Sequence, residues 1–228
     1  MSFFSTLLQK TTPFAVSIYA DGDSTTAGGF GATVYPAYYK IDLEALVNNL
    51  TVTTTNVAVS GQSQAQMLSD LTSQILNNNP DIITVSTCLN DTVEFNNSTL
   101  AGNIRSYINT CLAKVLPSGL CPQLILCTDN LSGQELAQVD ARPYANQVAV
   151  KNLVLNTYKE YIGNPNIWIV DFFALYDALG GAGNPDTAAL YAKLVSDKVH
   201  PNDAGYAMNR AAITPVLKNV IDKIRLFK

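Results

Sequence analysis

The sequence has little of what metal sites and nucleic-acid sites require. Its 228 residues include one histidine and four cysteines without a CxxC pair, so we expect no metal and no cofactor. The 14 Lys and Arg residues are outnumbered by 18 Asp and Glu, and the resulting net charge of −4 disfavours nucleic acid as a partner. Charged residues make up 14% of the chain against roughly 25% in typical soluble domains, which predicts a polar surface of low charge.

Membrane and targeting patterns are missing as well. The longest stretch without a charge, residues 45–69, is rich in Asn, Thr, Gln and Ser and does not predict a membrane span. Residues 1–10 carry a short apolar run with no basic residue ahead of it, which is not the pattern of a secretory signal. We therefore expect no membrane partner, and the compartment stays open, with extracellular or virion-associated action among the options.

The four cysteines are too few for a disulfide scaffold in a chain of this length. We expect free thiols at Cys88, Cys111, Cys121 and Cys127, with a Cys111–Cys121 disulfide as the alternative. The hydrophobic share of 47% is enough for a sizeable core, in which a free cysteine acts as a small apolar side chain.

Apolar runs typical of strands alternate along the chain with segments of helical periodicity. The predicted strands are residues 14–20, 51–59, 81–86, 124–127 and 167–170, and the predicted helices are 41–49, 62–78, 100–116, 144–162 and 202–226. Strands separated by helices of this length indicate a parallel sheet covered by helices on both faces. No repeat and no linker interrupts the pattern, so we expect one domain over residues 1–228.

Polar residues suited to acyl transfer follow the predicted strands. The first strand is followed by Gly22-Asp23-Ser24, the second by Gly61 and the third by Asn90-Asp91. Asp197 and His200 come shortly before the last helix. In parallel α/β sheets ligands bind outside the carboxyl ends of the strands, which is where the first three segments are expected to meet.

These residue types complement one another chemically. A serine hydroxyl becomes a good nucleophile when a neighbouring base takes its proton, and His200 is the only imidazole for that role. Asp197, three residues earlier, is placed to orient the ring. The backbone N–H groups of Ser24 and Gly61 and the amide of Asn90 would then stabilise the oxyanion. Gly61 has no Cβ to block the approach of the substrate oxygen.

The ordered set resembles the GDSL or SGNH hydrolases, which are serine esterases with a three-layer α/β/α sandwich around a mainly parallel five-stranded sheet. The resemblance rests on the four segments above and spans nearly the whole chain. It implies that Ser24 is the nucleophile, His200 the base and Asp197 its partner, with Ser24, Gly61 and Asn90 as the oxyanion hole. Thr25 replaces the name-giving leucine, and Cys88 replaces the glycine of GxND, which affects the expected shape of the Asn90 loop.

A second serine offers an alternative nucleophile. Ser63 lies in Gly61-Gln62-Ser63-Gln64-Ala65, which follows a strand and opens a helix as an incomplete nucleophile elbow of an α/β-hydrolase would. The glycine-rich segment 28–31 matches neither phosphate-binding pattern, so we interpret it as part of the substrate cleft rim.

The substrate is not fixed by the resemblance, because the family includes lipases, thioesterases, lysophospholipases and carbohydrate O-acetylesterases. The polar, Asn- and Thr-rich sequence favours an O-acetyl ester on a carbohydrate, which would be its small-molecule or acetylated-glycan partner. A lipid esterase or thioesterase with the same triad and a non-catalytic glycan-binding module are the alternatives, and the oligomeric state is open. Candidate sugar contacts, each of which has ordinary packing as its alternative, are Tyr35, Tyr38, Tyr39, Asn130, Arg142 and Tyr144.

Overall fold

Five parallel strands form the sheet of this α/β fold in the computed structural model, which describes residues 12–92, 97–133, 143–180 and 187–228. Their order across the sheet is β2-β1-β3-β4-β5, and each neighbouring pair is parallel. The strands are β1 Phe14–Gly22, β2 Leu50–Asn56, β3 Ile82–Thr87, β4 Gln123–Thr128 and β5 Ile167–Val170. The chain therefore reverses its direction of winding between β1 and β3, where open α/β sheets bind ligands.

Eight α-helices are present within the described ranges. They are α1 Ser24–Ala27, α2 Tyr39–Leu46, α3 Gln64–Asp70, α4 Asn97–Ala113, α5 Tyr144–Lys159, α6 Phe172–Gly180, α7 Ala188–Tyr191 and α8 Asp203–Arg225. The predicted helix over 62–78 is divided, because α3 continues as a π-turn and then a 3-10 turn that ends at Asn79, in the left-handed region with φ 52°. Helices α1, α6 and α7 were not predicted.

Both faces of the sheet are buried, and consecutive residues of one strand pack on opposite faces. Ile82 and Ile125 pack with residues of α2 and α8, whereas Ile83 and Leu124 pack with residues of α3, α4 and α5. This alternation is what strands covered on both sides require. It confirms the predicted three-layer α/β/α sandwich.

Glycine is required where β1 ends. A Cβ on Gly22 would lie 2.5 Å from the Thr26 hydroxyl oxygen and 2.7 Å from the Ser86 carbonyl oxygen. Both distances are far below ordinary contact, so only glycine lets β1 run this close to β3 before the chain turns into α1. The turn places Ser24 just beyond the carboxyl end of β1.

Membrane-spanning helices, metal clusters and disulfides are also missing from the described residues. In the described ranges, no helix is long and apolar enough to cross a membrane, and no group of three or more potential metal-ligating side chains is assembled. All four cysteines are free thiols, and only Cys121 is partly exposed.

Candidate active site

Ser24 is the first residue of α1 and lies directly beyond the carboxyl end of β1. Asp23 caps this short helix, since its side chain accepts a hydrogen bond of 3.0 Å from the Thr25 backbone N–H. Backbone N–H groups in the first turn of a helix have no acceptor within the helix. The Ser24 N–H is one of these groups, so it is suited to bind a substrate oxygen.

The Asp197–His200 segment is a turn held by its own aspartate. One carboxylate oxygen of Asp197 accepts hydrogen bonds from the backbone N–H groups of Val199, at 2.8 Å, and His200, at 3.0 Å. The other oxygen lies 2.6 Å from Nδ1 of the His200 ring, and Nε2 lies 2.7 Å from Oγ of Ser24. With the ring proton on Nδ1, Nε2 accepts a hydrogen bond from the Ser24 hydroxyl.

The Asp197 carboxylate is kept ionised by the hydrogen bonds that converge on it. Partial burial alone would raise the pKa of Asp197, but the bonds from His200 and Val199 outweigh burial and lower it. A charged carboxylate beside Nδ1 favours the imidazolium that forms when the ring takes a proton. The electrostatics therefore match the geometry of a base and its partner.

Asn130 supports this turn from the loop after β4. Its amide donates a hydrogen bond of 2.9 Å to the carbonyl of Val199, and only 3% of the residue is exposed. The Gly133 N–H binds the carbonyl of Lys198 at 2.8 Å. Asn130 was expected as a sugar contact, and this expectation is corrected: its side chain is buried against the turn that carries His200.

Phe30 stacks on the ring of His200, a contact that the sequence analysis did not predict. The two ring centroids are 3.4 Å apart and the planes differ by 6°. Phe30 belongs to the glycine-rich segment 28–31, and two residues beyond this segment Thr33 donates its N–H to the carboxylate of Asp203 at the start of α8. The segment interpreted as a cleft rim thus covers one face of the imidazole.

The proposed oxyanion loops after β2 and β3 contact each other. The Asn90 amide donates to the carbonyl of Gln62 at 3.1 Å, and the Gln64 N–H donates to the Asp91 carboxylate at 3.1 Å. Gly61 is exposed, has φ 79° and has open space where a Cβ would point. Its positive φ is what calls for glycine here.

Ser63, the alternative nucleophile, has a structural role in the fold. It caps α3 in a capping box, in which the side chain of Gln66 accepts from the Ser63 backbone N–H at 2.8 Å. The hydrogen bond of the His200 ring goes to Ser24 instead. The geometry therefore favours Ser24.

Most of the other side chains predicted to contact a sugar bind other residues of the protein instead. Tyr35 and Tyr39 are each 1% exposed, and their hydroxyls contact Thr26 and Thr84 inside the core, so both expectations are corrected. The Tyr38 ring lies under the guanidinium of Arg210, and the Tyr144 hydroxyl donates to Asp177 at 2.8 Å. Arg142 lies outside the described residues.

Cys88 is buried beside the site in a backbone conformation that favours glycine. Its φ is 88° and only 2% of the residue is exposed. Burial raises the pKa of the Cys88 thiol well above its ordinary value, so the group stays a neutral thiol. The residue that replaces the glycine of GxND thus has a positive φ, a conformation that glycine adopts readily.

Comparisons with known proteins agree with this architecture. The model of the family described as GDSL-like Lipase/Acylhydrolase family matches residues 20–208. A lipase/acylhydrolase from Enterococcus faecalis superposes with TM-score 0.69 at 20% identity, covering 90% of this chain and 96% of its own. A catalytic mutant of an acetylxylan esterase from Geobacillus stearothermophilus gives TM-score 0.67 at 19% identity, covering 92% and 96%. A comparison with curated protein sequences finds no match.

Proposed function

The chain belongs to the GDSL-like lipase/acylhydrolase family and is a carboxylic ester hydrolase, and from this premise we propose that Ser24, His200 and Asp197 are its catalytic triad. The observation that carries the proposal is the pair of short contacts on the His200 ring, 2.7 Å to Oγ of Ser24 and 2.6 Å to the Asp197 carboxylate. These contacts connect the proposed nucleophile, base and orienting carboxylate through two consecutive hydrogen bonds.

The proposed reaction proceeds through an acyl-enzyme. Oγ of Ser24 attacks the ester carbonyl while Nε2 of His200 takes its proton, and Asp197 stabilises the imidazolium. The tetrahedral intermediate collapses when His200 returns the proton to the leaving alcohol. Water, deprotonated by the same nitrogen, then attacks the acyl group and releases the acid and Ser24.

The oxyanion of the tetrahedral intermediate needs preorganised donors. We assign this role to the backbone N–H groups of Ser24 and Gly61 and to the side-chain amide of Asn90. The hydrogen bond from the Asn90 amide to the Gln62 carbonyl fixes the orientation of the group. Loss of one such donor typically costs 10²–10³ in kcat.

The triad is tested by paired serine variants. We expect Ser24→Ala and His200→Ala to lower kcat for a simple ester by about 10⁴-fold or more, because nucleophile and base act as a unit. Ser63→Ala is the matched control, and it should retain activity because Ser63 only caps α3. Hydrolysis of 4-nitrophenyl acetate and labelling by a fluorophosphonate probe provide the measurements.

Two results would contradict the assignment. Loss of turnover in Ser63→Ala with normal turnover in Ser24→Ala would make Ser63 the nucleophile. Absence of fluorophosphonate labelling of folded wild-type protein would favour a glycan-binding module that has no turnover.

For the substrate, we propose an O-acetyl group on a carbohydrate. The low share of charged residues, 14%, and the Asn- and Thr-rich sequence suit a neutral, hydrated substrate. The acetylxylan esterase among the structural neighbours performs such a reaction on a similar fold, which supports the proposal without assigning that substrate to this chain.

Acyl-chain preference separates this proposal from a lipid esterase. We expect kcat/KM to fall as the acyl chain of a 4-nitrophenyl ester grows from acetyl to octanoyl, and we expect acetate release from acetylated xylan or another acetylated glycan. Ser24→Ala is the control for spontaneous deacetylation. A clear preference for octanoyl esters, with no acetate released from glycans, would favour the lipid esterase.

A further inference from the structure

Two buried carboxyl groups lie against one hydroxyl beneath the nucleophile. Oγ1 of Thr25 is 3.0 Å from a carboxyl oxygen of Asp23 and 2.8 Å from a carboxyl oxygen of Asp129. Asp23 is fully buried and Asp129 is 7% exposed. A threonine hydroxyl has a single proton, so it can donate to only one of these two groups.

The hydrogen bonds around the pair are distributed unequally. Asp129 accepts from the Ser86 hydroxyl at 2.9 Å and from the Leu89 backbone N–H at 2.9 Å, in addition to Thr25. Asp23 accepts from the Thr25 backbone N–H, and its second carboxyl oxygen is buried without a hydrogen-bond partner. Three donors stabilise a carboxylate on Asp129, whereas the surroundings of Asp23 suit the neutral acid.

Within the described part of the chain, the other titratable groups that interact with Asp23 do not include a cation. They are the Asp129 carboxylate after β4, the Cys88 thiol after β3 and the Tyr206 phenol of α8. Burial is the main reason that the pKa of Asp23 is raised, and the neighbouring charge of Asp129 raises it further. Two adjacent carboxyl groups in such a site cannot both ionise.

Asp129 also connects the two loops that supply the proposed oxyanion donors. Through the hydroxyl of Thr25 it holds the turn that carries Ser24, and through the Leu89 N–H it holds the turn that carries Asn90. The threonine that replaces the family leucine supplies the hydroxyl for this connection. A displacement of about 1 Å in such groups is enough to cost roughly 10²-fold in rate.

We propose that Asp129 is a positioning residue that sets the oxyanion hole as an ionised carboxylate, while Asp23 carries the proton that lets both carboxyl groups share the Thr25 hydroxyl. Because Asp23 is neutral, Asp129 contributes the single negative charge of the pair near the oxyanion that develops at Ser24. The positioning role rests on the proposed triad, whereas the protonation state of Asp23 does not.

Infrared spectroscopy tests the proton directly, without reference to activity. We expect wild-type protein at pH 8 to show the carbonyl absorption of a protonated carboxylic acid that is missing from Asp23→Asn. Asp91→Asn is the matched control, because Asp91 is a partly buried acid in the same region, and the Asp23 absorption should persist in it. A wild-type spectrum identical to that of Asp23→Asn would overturn the assignment of the proton.

Steady-state kinetics with 4-nitrophenyl acetate test the positioning role. Asp129→Asn should lower kcat by about 10-fold or more with little change in KM, because the oxyanion forms only in the transition state. Asp23→Asn, which mimics the neutral acid, should lower kcat by less than about 3-fold. Equal losses in the two variants, or an effect of Asp129→Asn on KM alone, would overturn the proposal.

A second pair of variants keeps the test decisive if Asp129→Asn does not fold. Thr25→Ser keeps the hydroxyl and should retain most of the wild-type kcat, whereas Thr25→Val removes the hydroxyl and should lower kcat. Equal kcat in Thr25→Ser and Thr25→Val would refute the connection through the hydroxyl. Wild-type protein without esterase activity would instead refute the proposed function, and the infrared result would still stand.

Discussion

The ring of His200 is held on two sides by different interactions. Asp197 bonds Nδ1 in the plane of the ring at 2.6 Å, and Phe30 stacks on its face with ring centroids 3.4 Å apart. The in-plane bond sets the tautomer and the direction of Nε2, and the stack restricts rotation of the ring out of line with Ser24. Aromatic pairs of this kind contribute about 0.5–1.5 kcal/mol beyond their buried area.

Removing the Phe30 ring should therefore slow catalysis without abolishing it. We expect Phe30→Ala to lower kcat/KM for 4-nitrophenyl acetate by about 2- to 10-fold. This range corresponds to losing the roughly 0.5–1.5 kcal/mol by which the stack favours the aligned ring. Phe30→Tyr should retain most of the activity because it keeps the ring. Phe227→Ala is the control for loss of an exposed phenylalanine. Wild-type kcat/KM in Phe30→Ala would show that the stack has no catalytic effect.

Contacts of single residues were predictable where a side-chain type is unique in the chain. One histidine in 228 residues left one candidate base, and its spacing from Asp197 indicated the partner. Tyr35 and Asn130 show the limit of this reasoning, because whether a polar or aromatic side chain is exposed depends on distant elements that pack against it. The contact of Phe30 with His200 was unpredictable for the same reason.

The turn between β3 and the 3-10 helix Asn90–Thr92 shows how one element tolerates a residue that its backbone disfavours. Cys88 has φ 88° there, although its Sγ is well packed in the core formed with α3, α4 and α5. Non-glycine residues in this conformation cost of order 1–3 kcal/mol. Packing of the thiol offsets that cost.

Two substitutions at Cys88 separate backbone strain from packing. Both Cys88→Ala and Cys88→Gly remove the sulfur, but only glycine relieves the strained φ. We expect Cys88→Gly to be more stable than Cys88→Ala by about 1 kcal/mol, the reverse of the usual order of alanine and glycine. Urea denaturation gives the free energies, with Gly102→Ala in α4 as a reference for an ordinary helical position. Greater stability of the alanine variant would mean that this turn is unstrained.

Strands and helices with a clear hydrophobic periodicity were predicted well. Elements without such a periodicity were missed for physical reasons. Strand β5 has the predicted bounds, and α8 differs from its prediction by one residue at each end. Helix α6 was missed because its sequence, FFALYDALG, is apolar on nearly all sides and lacks the polar face that marks a surface helix. Helix α1 has four residues, fewer than periodicity can reveal.

Stability of the whole fold includes a cost for burying Asp21 at the end of β1. Burial raises the pKa of this carboxyl from 3.8 to about 6, although hydrogen bonds from the Tyr107 hydroxyl and the Gly22 N–H oppose the change. The folded protein thus binds the Asp21 proton more tightly than the unfolded chain. The contribution of Asp21 to stability therefore falls as pH rises between these two values.

An uncharged replacement should remove this pH dependence. Between pH 4 and pH 7 we expect the free energy of unfolding of the wild type to fall relative to that of Asp21→Asn by about 2 kcal/mol, which is most of the effect of the shift from 3.8 to about 6. Urea denaturation at several pH values measures the difference. Asp222→Asn, at an exposed ion pair of α8, should stay parallel to the wild type. Parallel curves for wild type and Asp21→Asn would contradict the raised pKa.

The hydrogen bond between Ser24 and His200 joins residues 176 positions apart in the chain. A ribosome adds roughly 5–20 residues per second, so Ser24 is synthesised roughly 10–35 s before His200. During that interval the growing chain holds a serine hydroxyl with no partner to activate it. If the proposed triad is correct, the newly made chain hydrolyses no ester until the turn that carries His200 has docked against Ser24.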